Sequence, residues 1–240
     1  MQLYYIRHGQ SGNNLLWEQT GSNSGRSVDP ELSAVGRQQA ELLAEFIKGH
    51  GVGVEKRGDD VQNLTGFRIS HMYTSLMVRA VTTAMPVARA LGLPLVAWKD
   101  LHETFGVYQH NKQADTYTGM PGKNRAFFEA CCPELALPAD LGSEGWWNRP
   151  PETVDELFPR ARRVLAELLR RHGQSEDRVV LISHGGFYQY FMGAVLGLPD
   201  INYHWFGLSN TAISRIDFNP PDMTIVYLNR VEFLPPSLIT

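Results

Sequence analysis

The chain has 240 residues, 43% of them hydrophobic, with 25 acidic residues against 22 Lys and Arg and a formal net charge of −3. That apolar content supports a real core and excludes a disordered chain, and the length fits one or two domains. The slightly acidic balance excludes a broad nucleic-acid footprint and attraction to an anionic membrane, so any anion site has to be a local cluster of positive charge.

Residues 2–6, QLYYI, read as a short strand of aromatic and aliphatic residues. The strand runs straight into Arg7-His8-Gly9, and a guanidinium and an imidazole at a strand end need something to compensate them. Residues 12–30 are rich in Gly, Asn and Ser and are expected to be loop. LSAVGRQQAELLAEFIK places Val35, Leu42, Leu43, Phe46 and Ile47 at helical spacing, an amphipathic helix capped near Ser33. Residues 49–66 are polar and glycine-rich, an exposed loop. FRISHMYTS reads as a second strand ending at Thr74-Ser75, and the helix LMVRAVTTAMPVARALG follows and stops at Gly92. Pro86 inside it removes one backbone hydrogen bond and is expected to kink it. LPLVAW is a candidate third strand.

From about 104 to 150 the periodicity fades while Gly, Pro, Tyr and Trp accumulate, as in TYTGMPGKNR and GSEGWWNRPP. A structureless loop of that length is uncommon in a compact domain, so the stretch is expected to carry function or small helices of its own. TVDELFPRARRVLAELLRRHG is a helix with Thr153 and Glu156 at capping-box spacing. Pro159 either kinks it or opens a second helix. RVVLIS is a buried strand, and HGGFYQYFMGAVLG a helix entered through two glycines. TAISRIDF and MTIVYLNRV read as an antiparallel pair at one edge of the sheet. Alternating strands and helices imply an α/β fold with a mostly parallel sheet and an antiparallel edge, a single domain over residues 1–240.

No apolar run is long enough to span a bilayer, and the opening MQLYYIRHG has neither a basic n-region nor a long apolar h-region. The two cysteines, Cys131 and Cys132, are adjacent and form no disulfide framework. Nothing near them in sequence supplies the positive charge that activates a thiolate. The expected compartment is the cytoplasm.

In parallel α/β sheets, ligands bind beyond the carboxyl ends of the strands. Three such ends carry chemistry here: Arg7-His8, Thr74-Ser75 and Ser183-His184. Two of them place a His before a Gly, and such a glycine admits close backbone approach to a ligand. A lone histidine reads as a satisfied structural residue; two His-Gly pairs at strand ends, with Arg7 beside one, read as an anion site.

RHGQSGNN, LSAVGRQQA, YTSLMVRAVTTA, LHETFGVY and SHGGF together resemble the histidine phosphatase superfamily, which includes the cofactor-dependent phosphoglycerate mutases. The opening Arg-His-Gly-x-Ser/Thr-x-x-Asn is matched by Arg7, His8, Gly9, Ser11 and Asn14. Leu32, Ser33, Gly36, Gln39 and Ala40 match the second element, and Ser75, Arg79 and Ala80 the third. Glu103 with Gly106 matches the acid motif, and His184 with Gly185 the second His-Gly. The order holds over roughly residues 2–217.

The resemblance implies a three-layer α/β/α sandwich of the phosphoglycerate mutase-like type and phosphoryl transfer through a phosphohistidine. A neutral His8 is the nucleophile. Arg7 and Arg79 disfavour its imidazolium and hold the phosphoryl oxygens in fork geometry. His184 is expected to donate as imidazolium, with Ser11, Asn14 and the N–H groups following Gly9 and Gly185 as further binding groups. Glu103 protonates the leaving oxygen, the bound phosphate dianion favouring its protonated form, so the rate optimum is expected on the acidic side of neutral. His102 is the alternative proton source, but neighbouring residues point different ways and only one faces a pocket. His71 reads as structural.

No zinc-type spacing links His8, His102, His110 and His184, and no nucleotide-binding glycine loop is present, so neither metal nor cofactor is implied. The implied partner is a small phosphorylated metabolite as substrate, without nucleic acid or membrane; a homodimer stays open. The mutases usually carry Glu-Arg-His-Tyr-Gly at the acid, a proline run in the insertion and His-Gly-Asn-Ser at the second His. Here HETFG, no proline run and HGGF stand instead, which favours a phosphatase. The insertion at 104–150 is expected to form a lid. In it Tyr108, Tyr117, Trp146 and Trp147 pack either on an organic leaving group or in a satellite core. Lys112, Lys123 and Arg125 either meet a second anionic group or are solvated. An inactive phospho-ligand binding module is the reading of another class.

Overall fold

The structure is a computed structural model that describes residues 1–240 except 52, 54–59, 112 and 203. Strand β1 (Gln2–Arg7) buries Leu3, Tyr4, Tyr5 and Ile6 completely. Successive strand side chains point to opposite faces, so a strand buried throughout must be covered on both sides. Tyr4 and Ile6 pack into one apolar cluster, with α2 (Ala34–Gly49) and α3 (Val78–Leu91). Leu3 and Tyr5 pack into the other, with α5 (Val154–His172) and α6 (Gly185–Val195). The three layers follow from that alternation.

The remaining strands of the central sheet are β2 (His71–Thr74), β3 (Leu95–Ala97), β6 (Leu135–Ala136), β7 (Arg178–Ser183), β8 (Ile213–Asn219) and β9 (Asp222–Arg230), in the order β6-β3-β2-β7-β1-β8-β9. From β6 to β1 every pairing is parallel; β8 runs antiparallel to β1, and β9 antiparallel to β8. The mostly parallel sheet with an antiparallel edge is therefore observed. Arg7 pairs with Ser183 and Thr74 with Ile182, so β1, β7 and β2 end at one level. Their carboxyl ends deliver His8, His184 and Ser75 to the same rim.

Residues 12–30 are not all loop. Helix α1 (Gly12–Thr20) starts at Ser11, which forms a reciprocal capping box with Asn14, and ends at Gly21 in the left-handed conformation, φ 61°. Its composition suggested loop because an Asn stands where a capping box usually shows Glu or Gln. The second strand begins at His71, four residues later than the sequence implied. Helices α3 and α5 run through Pro86 and Pro159 without ending, and Thr153 and Glu156 form the expected capping box.

Residues 104–150 form a β4 (Tyr108–Asn111) and β5 (Thr116–Gly119) hairpin, then α4 (Arg125–Cys131) and the edge strand β6. Part of this stretch completes the core: Phe128, Leu141, Trp146 and Trp147 are buried in the α2–α3 cluster. Among the described residues no helix is long and apolar enough to cross a membrane.

Candidate active site

The His8 ring is buried. Its Nδ1 lies 2.7 Å from the Gly9 carbonyl oxygen, to which it donates, and its Nε2 accepts from Arg79 Nε at 3.1 Å. The first contact fixes the proton on Nδ1 and leaves the Nε2 lone pair facing the guanidinium. Burial, then Arg79 and Arg7, hold His8 well below the ordinary imidazole range. This environment favours the neutral ring of His8.

The His184 ring centroid is 5.1 Å from that of His8. Its Nε2 is 2.9 Å from Ser75 Oγ, while its buried Nδ1 has no hydrogen-bond partner. Burial, then Arg79 and His8, hold His184 well below the ordinary imidazole range, so the free site favours its neutral ring; the imidazolium expected from the sequence concerns the site with a phosphoryl group bound. Arg7 donates from Nη1 to the Leu208 carbonyl at 2.6 Å, and its Nε is also buried without a partner. Two unsatisfied nitrogens beside a neutral imidazole make a seat for an anion, since buried polar groups otherwise find partners.

Glu103 faces the same space. Its Oε1 accepts from the N–H groups of Thr104 at 2.9 Å and Phe187 at 2.8 Å, and its Oε2 from Gly186 at 3.3 Å. The carboxylate thus sits on the first turn of α6, where the helix dipole favours it. His102, the alternative, is buried among Trp146 and Trp147 with Nδ1 on the Glu103 carbonyl at 2.8 Å, so Glu103 alone points to the site. The segment carrying Glu103 is clamped by a fully buried pair. Arg160 meets Glu152 through Nε–Oε1 at 2.6 Å and Nη2–Oε2 at 2.7 Å. Its Nη1 donates to the Asp100 and His102 carbonyls at 2.8 and 2.9 Å, and the guanidinium lies 4.2 Å from the Phe187 ring centre.

A cavity of about 310 Å³ is lined by Arg7, His8, Ser11, Asn14, Arg79 and Glu103 among others. Six of the eight sequence candidates therefore share one space. His184 lies fully buried beside it, and Gly185 stands where an added Cβ would come within 3.3 Å of Arg7 Nε. Two expected backbone donors are occupied. The Gln10 N–H goes to Gln39 Oε1 at 2.7 Å and the Gly186 N–H to Glu103. Ser11 and Asn14 bond each other in the α1 cap.

Three residues escaped the sequence reading. Asp29 accepts from the Val78 N–H at 3.2 Å and lies 3.6 Å from Arg79 Nη1, orienting that guanidinium. Asn210 donates to the His8 carbonyl at 2.8 Å. Arg26 lines the cavity with its Nη1 on the Tyr108 hydroxyl and its Nε buried and unpartnered. Asp29 and Arg26 sit in a stretch read as loop, and no spacing there announces a role.

In the insertion, Tyr108 lines the cavity, whereas Trp146 and Trp147 take the core alternative. Tyr117 stacks on His110 at 4.2 Å outside it. Arg125 donates to the Leu141 and Pro138 carbonyls and Lys123 covers the Phe127 ring, so neither reaches the site; Lys112 lies outside the described residues.

The sequence model of the histidine phosphatase superfamily (branch 1) matches residues 3–231. The chain belongs to this superfamily. Among curated relatives, a protein of Photorhabdus laumondii named "Probable phosphoglycerate mutase GpmB" is 26% identical over 218 residues, 91% of this chain and 85% of its own. Its namesake in Yersinia enterocolitica is 27% identical over 222 residues, with the same shares. Among solved structures, a phosphoserine phosphatase of Entamoeba histolytica, in complex with 3-phosphoglyceric acid, aligns with TM-score 0.60 at 20% identity over 98% of this chain and 99% of that one. A mycobacterial glucosyl-3-phosphoglycerate phosphatase aligns with TM-score 0.55 at 23% identity, over 90% and 89%. These structures carry the fold. The two histidines of this histidine phosphatase superfamily member meet beyond the carboxyl ends of β1 and β7, the side on which parallel α/β sheets bind ligands.

Proposed function

We propose that the protein is a phosphomonoester hydrolase that works through a phosphohistidine on His8. The observation that carries the reading is the neutral His8 ring, held by Gly9, with Arg79 on its Nε2 and the unpartnered Arg7 Nε and His184 Nδ1 beside it. An arriving phosphoryl group draws Arg79 onto its oxygens and frees the Nε2 lone pair. That pair forms the N–P bond as the P–O bond to the alcohol breaks, and Glu103, entering protonated, gives its proton to the leaving oxygen. Water then attacks phosphorus with Glu103 as base, the N–P bond breaks, and phosphate leaves. Arg7, Arg79, Ser11, Asn14, His184 and Gly185 line the phosphoryl seat. Removing one such fixed donor costs on the order of 2.7–4 kcal/mol of transition-state stabilisation. The phosphate dianion supplies the charge that makes a proton on His184 favourable, so the imidazolium belongs to the liganded state.

The substrate is a small phosphorylated metabolite whose alcohol bears a second anionic group. Arg26 adds a third guanidinium to a cavity in which one phosphoryl group occupies two, and a carboxylate there would satisfy its Nε. The paired strands β4 and β5, with Phe105 and Gly106, act as the lid of a single domain. Names among the relatives keep mutase-type transfer as the second reading, in which a substrate hydroxyl replaces water.

Hydrolysis of p-nitrophenyl phosphate by the wild type and not by His8→Ala, with an acidic optimum, is the expected result. Interconversion of 3- and 2-phosphoglycerate dependent on bisphosphoglycerate would favour the mutase. Absence of turnover on a broad phosphoester panel would leave a binding module. A rate flat up to pH 9 would count against Glu103 as acid.

A further inference from the structure

The opposite rim of the sheet carries a second group of coordinating side chains that the proposed reaction does not use. His71 opens β2, His172 closes α5, and Asp177 precedes β7. One ligating atom from each lies within 4.8 Å of the other two. The carboxylate faces both rings: Oδ2 is hydrogen-bonded to His172 Nδ1 at 2.8 Å, while Oδ1 lies 3.7 Å from His71 Nδ1, too far for a hydrogen bond. The two imidazoles stand 4.6 Å apart, tilted by 54°. We propose that His71, His172 and Asp177 form a binding site for a divalent transition ion of the zinc type.

The chemistry fits the donor set. Two neutral imidazoles and one carboxylate suit zinc, nickel and copper rather than magnesium or calcium, which prefer all-oxygen shells. Zinc bonds of about 2.0–2.2 Å set tetrahedral ligand separations of about 3.3 Å, and the observed 2.8 and 3.7 Å bracket that value. The outer partners are already in place. His172 Nε2 is 3.0 Å from the Tyr73 hydroxyl, which can accept the ring proton when Nδ1 turns to the metal, the arrangement that orients metal-bound imidazoles. Ser70 Oγ sits 2.9 Å from His71 Nδ1 and has the Arg178 carbonyl at 3.3 Å as an alternative acceptor, so the ring can give it up. His172 is buried, while the side chains of His71 and Asp177 are 43% and 28% exposed, which leaves an entry path and room for a water as fourth ligand.

The ion would tie the end of α5 to β2 and β7. It takes no part in the chemistry, because the four residues of β2 separate His71 from the Ser75 end by about 13 Å. A hydrogen-bonded chain Asp177–His172–Tyr73 without metal is the competing account, and it assigns His71 no role.

The test is zinc titration of the full chain by calorimetry, with thermal melts in parallel. The expected result is one zinc equivalent whose binding weakens at least tenfold in both His71→Ala and Asp177→Asn. At free zinc about 100-fold above Kd the wild type should melt about 5–10 °C higher, a rise absent from both variants. Both substitutions are at partly exposed positions, and a wild-type far-UV spectrum checks their folding. Absence of binding to the wild type, or either variant binding zinc as the wild type does, overturns the proposal.

Discussion

Acid should weaken this fold through three rings. His8, His102 and His184 are each buried and each held well below the ordinary imidazole range, burial being the largest cause, with Arg79 next for His8 and His184 and Arg160 next for His102. Their unfolded forms take a proton near the ordinary value of about 6.5, while the folded rings stay neutral. The unfolded chain therefore binds more protons below that pH, so the contribution of these rings is fully present above about 6.5 and is lost as pH falls. Each ring costs about 1.36 kcal/mol per pH unit, so one unit of acid removes roughly 4 kcal/mol for three rings, a large part of a typical 5–15 kcal/mol stability. Asp29, whose carboxyl burial raises, opposes this, so the figure is an upper value. Urea unfolding at pH 7.5 and 5.5, followed by tryptophan fluorescence, reads the difference, since Trp146 and Trp147 are buried. His184→Asn should remove about a third of the loss. Equal unfolding free energies at the two pH values in the wild type would refute the reasoning.

Three further outcomes are expected. Gly36→Ala places a Cβ 2.0 Å from the Gln10 carbonyl oxygen, so the roughly 1 kcal/mol of helix propensity it gains is outweighed by displacement of the loop after His8; urea midpoint and kcat should both fall. Glu152→Gln strands the Arg160 charge and should destabilise by roughly 3–5 kcal/mol. It should also slow hydrolysis of alkyl phosphates, which need the Glu103 proton, more than that of p-nitrophenyl phosphate; equal slowing of both would separate the clamp from Glu103. Arg79→Lys loses the Nε contact to His8 and the fork geometry, so kcat/KM should drop on the order of 10²–10³ with little change in melting temperature.

The mostly parallel α/β sheet was legible in the alternation of strands and helices and the three layers in the resemblance; the structure accounts for them, since β1 and β7 are buried along their length and a sheet of such strands is covered on both faces. The two His-Gly pairs were legible as strand ends, and the level ends of β1 and β7 turn that linear signal into a contact of two rings. Helix α1 was not legible, because an Asn-based cap and a Gly-Asn-Ser composition look like a turn. Asp29 and Asn210 were hidden for another reason: each acts on His8 or Arg79 through tertiary contact, and their neighbours in sequence carry no periodicity that marks them. The paired tryptophans had two destinations of equal chemical sense, and only the structure shows them buried in the α2–α3 cluster.

The most direct test is a rapid acid-free quench of the enzyme during turnover of a radiolabelled phosphomonoester, followed by peptide mapping under alkaline conditions that preserve phosphohistidine. Label on the peptide containing His8, absent from His8→Ala, is the predicted result. Steady turnover in His8→Ala, or label carried by another residue, would contradict the account.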